Sequence, residues 1–502
     1  MKILSAQQIK AADAYTIANE PISSIDLMER AASACAQWIS AHFSSSETVH
    51  IFCGKGNNGG DGLAIARLLW EQDYKVQVYI VEVSLHATDD FTANLEKLPI
   101  QPQYIHASHE VPSITTGIVV DAILGTGLNR PVEGWLAGVF HHINNLQQQI
   151  PILSIDVPSG MMIDSSSEKS TCIHARYTLS FEVYKLGFLL PENAERVGEI
   201  VLLPIGLHPE FLQRESTPYH IVDAAMVRAL YQPRKSFAHK GTYGHALLIA
   251  GSYGKIGAAV LSAKACLRSG VGLLTTYLPS CGYNIMQTSV PEAMCITDPR
   301  NELSMQFYTL VQEKQQYNTI GIGPGLGTDV STAKGLEKLL LQYKQAMVID
   351  ADALNIISQY PRLLDQIPAN SILTPHPKEF ERLFGATSNQ FERLSLLREK
   401  AVQYKLYILL KGKFSAIACP DGVVYFNSTG NPGMATGGSG DVLTGILTGL
   451  LAQGYQSKVA VLLGAYIHGA AGDAAAEQLS QEAMVAGDII DFLGEIFKKL
   501  PN

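Results

Sequence analysis

Short runs of β-branched apolar residues recur along this chain, and several of them end in a glycine-rich turn. VHIFCG (49–54) leads into KGNNGGDG and then a helical LAIARLLW. VQVYIV, GIVVDAIL and PILSIDV follow, with a helical WLAGVFHHINNL between the last two. Strands that alternate with helices need crossover connections, and these produce a parallel sheet covered by helices on both faces. The same rhythm returns in HALLIAGS, a helical AAVLSAKACLRSG, GLLTTYL, TIGIGPGLGT, AMVIDADALN, SILTPHP and LYILLKG, and the chain ends in helices. The first forty residues read as helix, with Ile9, Ala12, Ile17, Ile25, Met28, Ala32 and Trp38 at roughly helical spacing.

At 502 residues the chain exceeds what one core organises. The rhythm fails between Pro204 and Pro233, where IGLHPEFLQRESTP and YQPRKSFAHKGTYG are polar, proline-containing and basic. A boundary near 206–220 is expected, giving domains over 1–210 and 220–502. A net charge of -9 argues against a general binder of nucleic acid or anionic membrane. It leaves room for a local basic pocket that takes a phosphorylated small molecule. The seven cysteines form no CxxC pair, so reduced, mostly buried thiols are expected rather than a disulfide framework or structural zinc. The N-terminal MKILSAQQIKAADAYTIANE has no apolar signal core. VAVLLGAYIHGAAGDAAA is interrupted by His468 and Asp473, which suits a core helix better than a membrane span. The expectation is a soluble, cytoplasmic α/β protein.

Three loops in the first half follow strands: CGKGNNGGDG (53–62), DAILGTGLNRP (121–131) and DVPSG (156–160). Ligands of open parallel sheets bind at the carboxyl ends of the strands, so these loops share one crevice. Glycine permits close backbone approach, and a helix start offers amide N–H groups to a phosphate. Asn57, Asn58, Asp61, Asp121, Asp156 and Ser159 come into proximity there. Asp156 also reads as a turn or helix cap.

NNGGDG, DAILGTGLNRP, DVPSGM and TLSFEVYKLG, in this order, resemble the YjeF N-terminal domain family over most of residues 1–210. That family has a Rossmann-like three-layer fold and includes epimerases of hydrated NADH and NADPH. The resemblance implies that Asn57, Asn58, Gly59, Gly60 and Asp61, with Gly125, Thr126, Gly127, Leu128, Asn129, Arg130 and Pro131, line the dinucleotide. It implies K+ held by Asn58, Asp121 and Ser159, and Asp156 as the group at the reacting ring. An oxygen-rich set suits a hard cation. Lys185 is either a partner of Asp156 or a solvated lysine. The MMIDSSSEKS after DVPSG departs from the family's shorter acid-and-glycine turn.

In the second half, NPGMATGGSGD (431–441) stands directly before the apolar VLTGILTGLL. Glycine amides at a helix start can stabilise charge on a transferring phosphoryl group, with Asp441 placed to take a proton from a substrate hydroxyl. GSYGKIGAAVLSAKACLRSGVGLLT, GIGPGLGT, VIDADALN, TPHPKEFERL and LLKGKFS accompany it. Together they resemble the ribokinase-like ADP/ATP-dependent NAD(P)H-hydrate dehydratases over roughly 225–495. The resemblance implies that Ala258, Gly325, His376 and Asp441 contact the hydrated dinucleotide. Lys411, Gly412, Lys413, Phe414, Ser415 and Gly440 would hold the adenine nucleotide. Lys378 stands where the family often has glycine.

The expected enzyme is bifunctional. One half interconverts (R)- and (S)-NAD(P)HX; the other dehydrates the S form at the expense of ADP, with Mg2+, giving AMP and phosphate. Its partners would be NADHX, NADPHX and an adenine nucleotide, and the resemblance implies a homo-oligomer. The alternatives are a small-alcohol or vitamin-precursor kinase fused to a dinucleotide-binding regulatory domain, and a first half that binds or scaffolds without catalysis.

Overall fold

A computed structural model describes residues 1–311 and 317–500. The chain forms two compact units. One comprises Lys2–Tyr219 with Asn389–Phe391; the other comprises Met1, His220–Ser388 and Glu392–Asn502.

The first unit is built on a seven-stranded sheet: β1 (Thr48–Cys53), β2 (Lys75–Val81), β3 (Gln103–Ile105), β4 (Ile118–Ala122), β5 (Ile152–Ile155), β6 (Tyr177–Phe181) and β7 (Glu199–Leu203). All pairings are parallel, in the order β3-β2-β1-β4-β5-β6-β7. Alternate residues feed opposite cores, as the period of a strand requires. Ile51, Cys53, Val120 and Ala122 pack into one apolar cluster, and Phe52, Val119 and Ile152 into the other. The first forty residues hold two helices, Ala6–Asn19 and Ser24–His42, each opened by a serine capping box. Pro21 lies in the break between them.

The sheet of the second unit is built from β8 (Tyr219–Val222), whose first residue belongs to the first unit, β9 (His245–Ile249), β10 (Leu273–Pro279), β11 (Met294–Asp298), β12 (Thr319–Ile322), β13 (Val348–Ile349), β14 (Ile372–Leu373), β15 (Tyr407–Leu410), β16 (Ala416–Ala418) and β17 (Val424–Asn427). Their order is β11-β10-β9-β12-β13-β14-β15-β16-β17-β8. Pairing is parallel from β11 to β15 and antiparallel from β15 through β17. Helices Ser439–Ala452, Ser457–Leu479 and Ala486–Lys499 share one core with Val348, Ile372 and Leu409. Ser457–Leu479 has the length and hydropathy of a membrane span, yet 61% of its most apolar window is buried inside the protein. It is a core helix here, and the polar His468 and Asp473 find partners on its inner side.

Both sheets reverse direction beside their first central strand. The chain leaves β1 toward β3 and returns as β4; it leaves β9 toward β11 and returns as β12. Each reversal opens a crevice at the strands' carboxyl ends, the ligand position of such sheets.

Candidate active sites

In the first unit the loops after β1 and β4 meet across the reversal. Gly54 N–H donates to the Ala122 carbonyl at 3.1 Å. The helix Asn57–Trp70 starts so close to this turn that a Cβ on Gly59 would lie 1.7 Å from the Gly54 carbonyl oxygen. No side chain caps the helix, which leaves its first amides open. Asn58, Gly59, Gly60 and Asp61 are buried beneath the turn, while Asn57 is exposed at its mouth. Gly125, Thr126 and Leu128 are half-buried, and Gly127, Asn129, Arg130 and Pro131 form an exposed rim.

Asp121, Ser159 and Asn58 converge under this rim. The buried Asp121 carboxylate accepts from Ser159 Oγ at 2.5 Å, Ser159 N at 2.9 Å, Ser154 Oγ at 2.7 Å and Ile123 N at 3.3 Å. Burial raises its pKa, and these hydrogen bonds pull it back. Asn58 Nδ2 donates to the Leu124 carbonyl at 3.1 Å, and Ser159 Oγ accepts from Leu124 N at 2.7 Å. Asn58 Oδ1 is buried without a hydrogen-bond partner. The cluster therefore offers one open oxygen beside a buried carboxylate.

Asp156 follows β5 with φ +62°, in the left-handed region, where a non-glycine residue sits at a cost of about 1–2 kcal/mol. Its Oδ1 accepts from Lys185 Nζ at 2.7 Å. Lys185 is not a solvated lysine: its side chain is 1% exposed, and Nζ also donates to Ser180 Oγ at 2.5 Å and the Phe181 carbonyl at 3.2 Å. Two further carboxyls share this environment. Burial, then the Asp156 charge, push Asp13 up to about 6, with Lys185 opposing. Asp61 is driven well above the usual carboxylate range by burial first, then Asp156, Asp13 and Asp90. Asp13 and Ser180 were not foreseen; they stand on a helix and a strand that carry no glycine motif.

In the second unit a cavity of about 640 Å³ opens between the β15–β17 end of the sheet and the start of the helix Ser439–Ala452. Lys411, Gly412, Lys413, Ser415, Gly440 and His376 line it, together with Thr429, Gly430, Asn431 and His468. Phe414 does not line it; Lys413 Nζ lies over the Phe414 ring at 5.4 Å. Gly438 precedes the helix at φ +98°, and no side chain caps the first turn, so the amides of Gly440 and Asp441 remain available. Every residue of this helix is buried except Gly440 and Asp441, at the end that meets the cavity. Apolar burial thus anchors the helix and aims its amino end. Burial, then Asp350, raise Asp441 to about 6; Lys411 opposes and Asp352 adds to the rise.

Ala258 and Gly325 face each other across the β9/β12 reversal, where a Cβ on Gly325 would lie 3.1 Å from Ala258 Cβ. His376 is half exposed and caps the helix Pro377–Phe384: Nδ1 accepts from Lys378 N at 3.1 Å and Glu379 N at 3.3 Å. With Nδ1 accepting, the proton of the neutral ring rides on Nε2, so the ring can offer a donor. Lys378 is exposed and supplies one of these amides. His468 is held neutral, at about 4, chiefly by burial, and Nε2 hydrogen-bonds the Ser439 carbonyl at 2.9 Å.

A crevice lined by backbone amides in each unit, one of them beside a half-buried Asp on a glycine-led helix, defines a two-unit nucleotide-handling α/β enzyme. In keeping with that class, the second unit is similar to a ribokinase-like superfamily protein of Enterococcus faecalis, with 28% identity, 57% of this chain and 98% of the other covered, and TM-score 0.50. The family description "YjeF-related protein N-terminus" matches residues 24–187, and "NAD(P)H-hydrate dehydratase" matches 246–494. A bifunctional NAD(P)H-hydrate repair enzyme of Moorella thermoacetica is 37% identical over 100% of this chain and 97% of its own length. One of Coxiella burnetii is 34% identical over 94% of each. The ADP/ATP-dependent NAD(P)H-hydrate dehydratase of Bacillus subtilis, co-crystallised with ATP and Mg2+, is 34% identical, covers 56% of this chain and 98% of its own, and superposes with TM-score 0.51. The chain belongs to the family of bifunctional NAD(P)H-hydrate repair enzymes.

Proposed function

We propose that this chain restores hydrated NADH and NADPH, the first unit interconverting the R and S hydrates and the second dehydrating the S hydrate with ADP. The observation that carries the reading is Asp441, half-buried at the open end of a glycine-led helix, beside a cavity lined by Lys411–Lys413 and Ser415.

The hydroxyl at C6 of the hydrated ring is a poor leaving group. Asp441 would take its proton as the oxygen attacks the β-phosphoryl of ADP, releasing AMP. The amides of Gly440 and Asp441 would stabilise charge on the transferring group. The ring nitrogen lone pair then expels phosphate from C6, and loss of a proton from C5 regenerates NAD(P)H. Ala258, Gly325 and the Nε2–H of His376 would position the dinucleotide. Among the described residues no group of three His, Cys, Asp or Glu could hold a metal, so Mg2+ would arrive on the nucleotide's phosphates.

In the first unit, Asp156 would act at C6 as the bond to oxygen breaks and re-forms on the other face. Lys185 would hold the Asp156 carboxylate in place. The open Asn58 Oδ1, with Ser159 and Asp121, fits K+. When bound, K+ would supply positive charge next to the dinucleotide. The seven cysteines, all free, suit a reducing cytoplasm. We also expect a homo-oligomer.

The test uses mixed R and S hydrates of NADH with ADP and Mg2+, followed by the dihydronicotinamide absorbance and by phosphate release. Complete recovery is expected. A stable phosphorylated product instead would make the second unit a kinase.

A further inference from the structure

Lys411, which lines the cavity of the second unit, and the Asp441 helix are joined by one side chain. Asp350, at the end of β13, is 1% exposed. Its Oδ1 accepts from Lys411 Nζ at 2.7 Å, and its Oδ2 accepts from Thr444 Oγ1 at 2.7 Å. Thr444 lies one helical turn beyond Asp441, on the same side of the helix. A Cβ on Gly440 would sit 3.1 Å from Lys411 Nζ and 3.7 Å from Asp350 Oδ2, so the three groups pack at the open helix end. Buried carboxylates need paired charge, and Lys411 is the cation at hand.

Lys411 also lines the cavity proposed for the adenine nucleotide, so phosphates entering there compete with Asp350 for the same ammonium. We propose that Asp350 is a positioning residue that couples nucleotide binding to the Asp441 base: it holds Thr444 and the helix in place while ceding Lys411 to the phosphates, which leaves its own charge facing Asp441. This rests on the dehydratase reading given above. The charged groups that face Asp441 are Asp350 and Asp352 from the β13 end and Lys411 from the β15 end. His468, from the neighbouring helix, is neutral. As Lys411 turns toward phosphate, an uncompensated carboxylate strengthens Asp441 as a base, and it does so only when a phosphoryl donor is present. Free enzyme would hold a weaker base and a closed ion pair.

The test compares wild type, Asp350→Asn and Lys411→Met in two measurements on the full chain. The first is the acid limb of kcat/KM for ADP-driven dehydration of the S hydrate, which reports the free enzyme. Asp350→Asn is expected to move that limb to lower pH, and Lys411→Met to higher pH, each by on the order of one unit. The second is proton uptake on ADP binding, read from the buffer dependence of the calorimetric heat near pH 6, where Asp441 titrates. Uptake is expected in wild type and reduced in Asp350→Asn. A shared acid limb in all three proteins, or equal uptake in wild type and Asp350→Asn, overturns the coupling. ADP binding by each variant shows that its site is folded; if Asp350→Asn binds none, the direction of the Lys411→Met limb decides. Wild type that neither binds ADP nor restores absorbance would sink the dehydratase reading itself, a different outcome from unmoved limbs in an active enzyme.

Discussion

As the proposed base, Asp441 would have to give up, near neutral pH, a proton that its surroundings favour. Burial and the neighbouring Asp350 lift it to about 6 from 3.8. The folded state therefore binds this proton more tightly than the unfolded chain. Stability from Asp441 is complete below pH 4 and falls as pH rises through 6, by on the order of 2–3 kcal/mol. Asp441→Asn removes that penalty. It is expected to abolish dehydration while being more stable than wild type at pH 8, with the gap closing at pH 4; urea unfolding at both pH values checks this. Lys185 presents the opposite case. Lys185→Met strands Asp156 without its cation, and the first unit should lose about 3–5 kcal/mol together with epimerisation. Restored stability in the double variant Lys185→Met/Asp156→Asn, whose neutral amide tolerates φ +62°, without restored activity, would separate the two roles.

At the scale of elements, the glycine turns set how near a ligand can come. Gly59→Ala would drive a methyl carbon onto the Gly54 carbonyl, a backbone atom that cannot step aside. A lowered melting temperature of the first unit is expected. Gly438→Ala meets Leu261 Cδ1 at 2.6 Å, a side-chain end that can shift, and Ala486 Cβ at 3.0 Å, and φ +98° costs any L-residue about 1–2 kcal/mol. The expected result is a folded protein with weaker ADP binding, measured by calorimetry. These turns were legible in the sequence because glycine is spent where only glycine fits, directly after a β-branched run. Strands with long runs were legible for the same reason: β1, β2, β9 and β10 coincide with VHIFCG, VQVYIV, HALLIAGS and GLLTTYL. The three-residue β3 and β16 leave too few residues for any periodicity. The sequence left Lys185 open between a partner of Asp156 and a solvated lysine, and the Lys411–Asp350–Thr444 bridge was not legible. The members of the pair and the bridge lie 29, 61 and 94 residues apart, and only the sheet order brings them together.

For the whole molecule, each sheet has its own flanking cores and its own crevice at its own reversal. Each activity should then survive loss of the other. Asp156→Ala is expected to consume the S hydrate at the wild-type rate and slow abruptly once it is spent. Asp441→Asn should equilibrate the epimers and restore nothing. Mixed in one tube, the two variants should bring absorbance to the wild-type end point, because the S hydrate passes through solution. Division into two α/β blocks was readable from the polar stretch after Pro204, where alternation stops. The share of residues 389–391 with the first unit was not, since nothing local distinguishes them.

The reversal in each sheet also fixes an order of events as the chain is made. β1 and its glycine turn leave the ribosome well before β4, which begins 65 residues after β1 ends. β9 likewise precedes β12. A nascent chain that has made only the first wall has a glycine turn with no opposite side. Neither crevice has both of its walls until the polypeptide has gone out to one edge of its sheet and come back, so each site is completed late in the synthesis of its own unit.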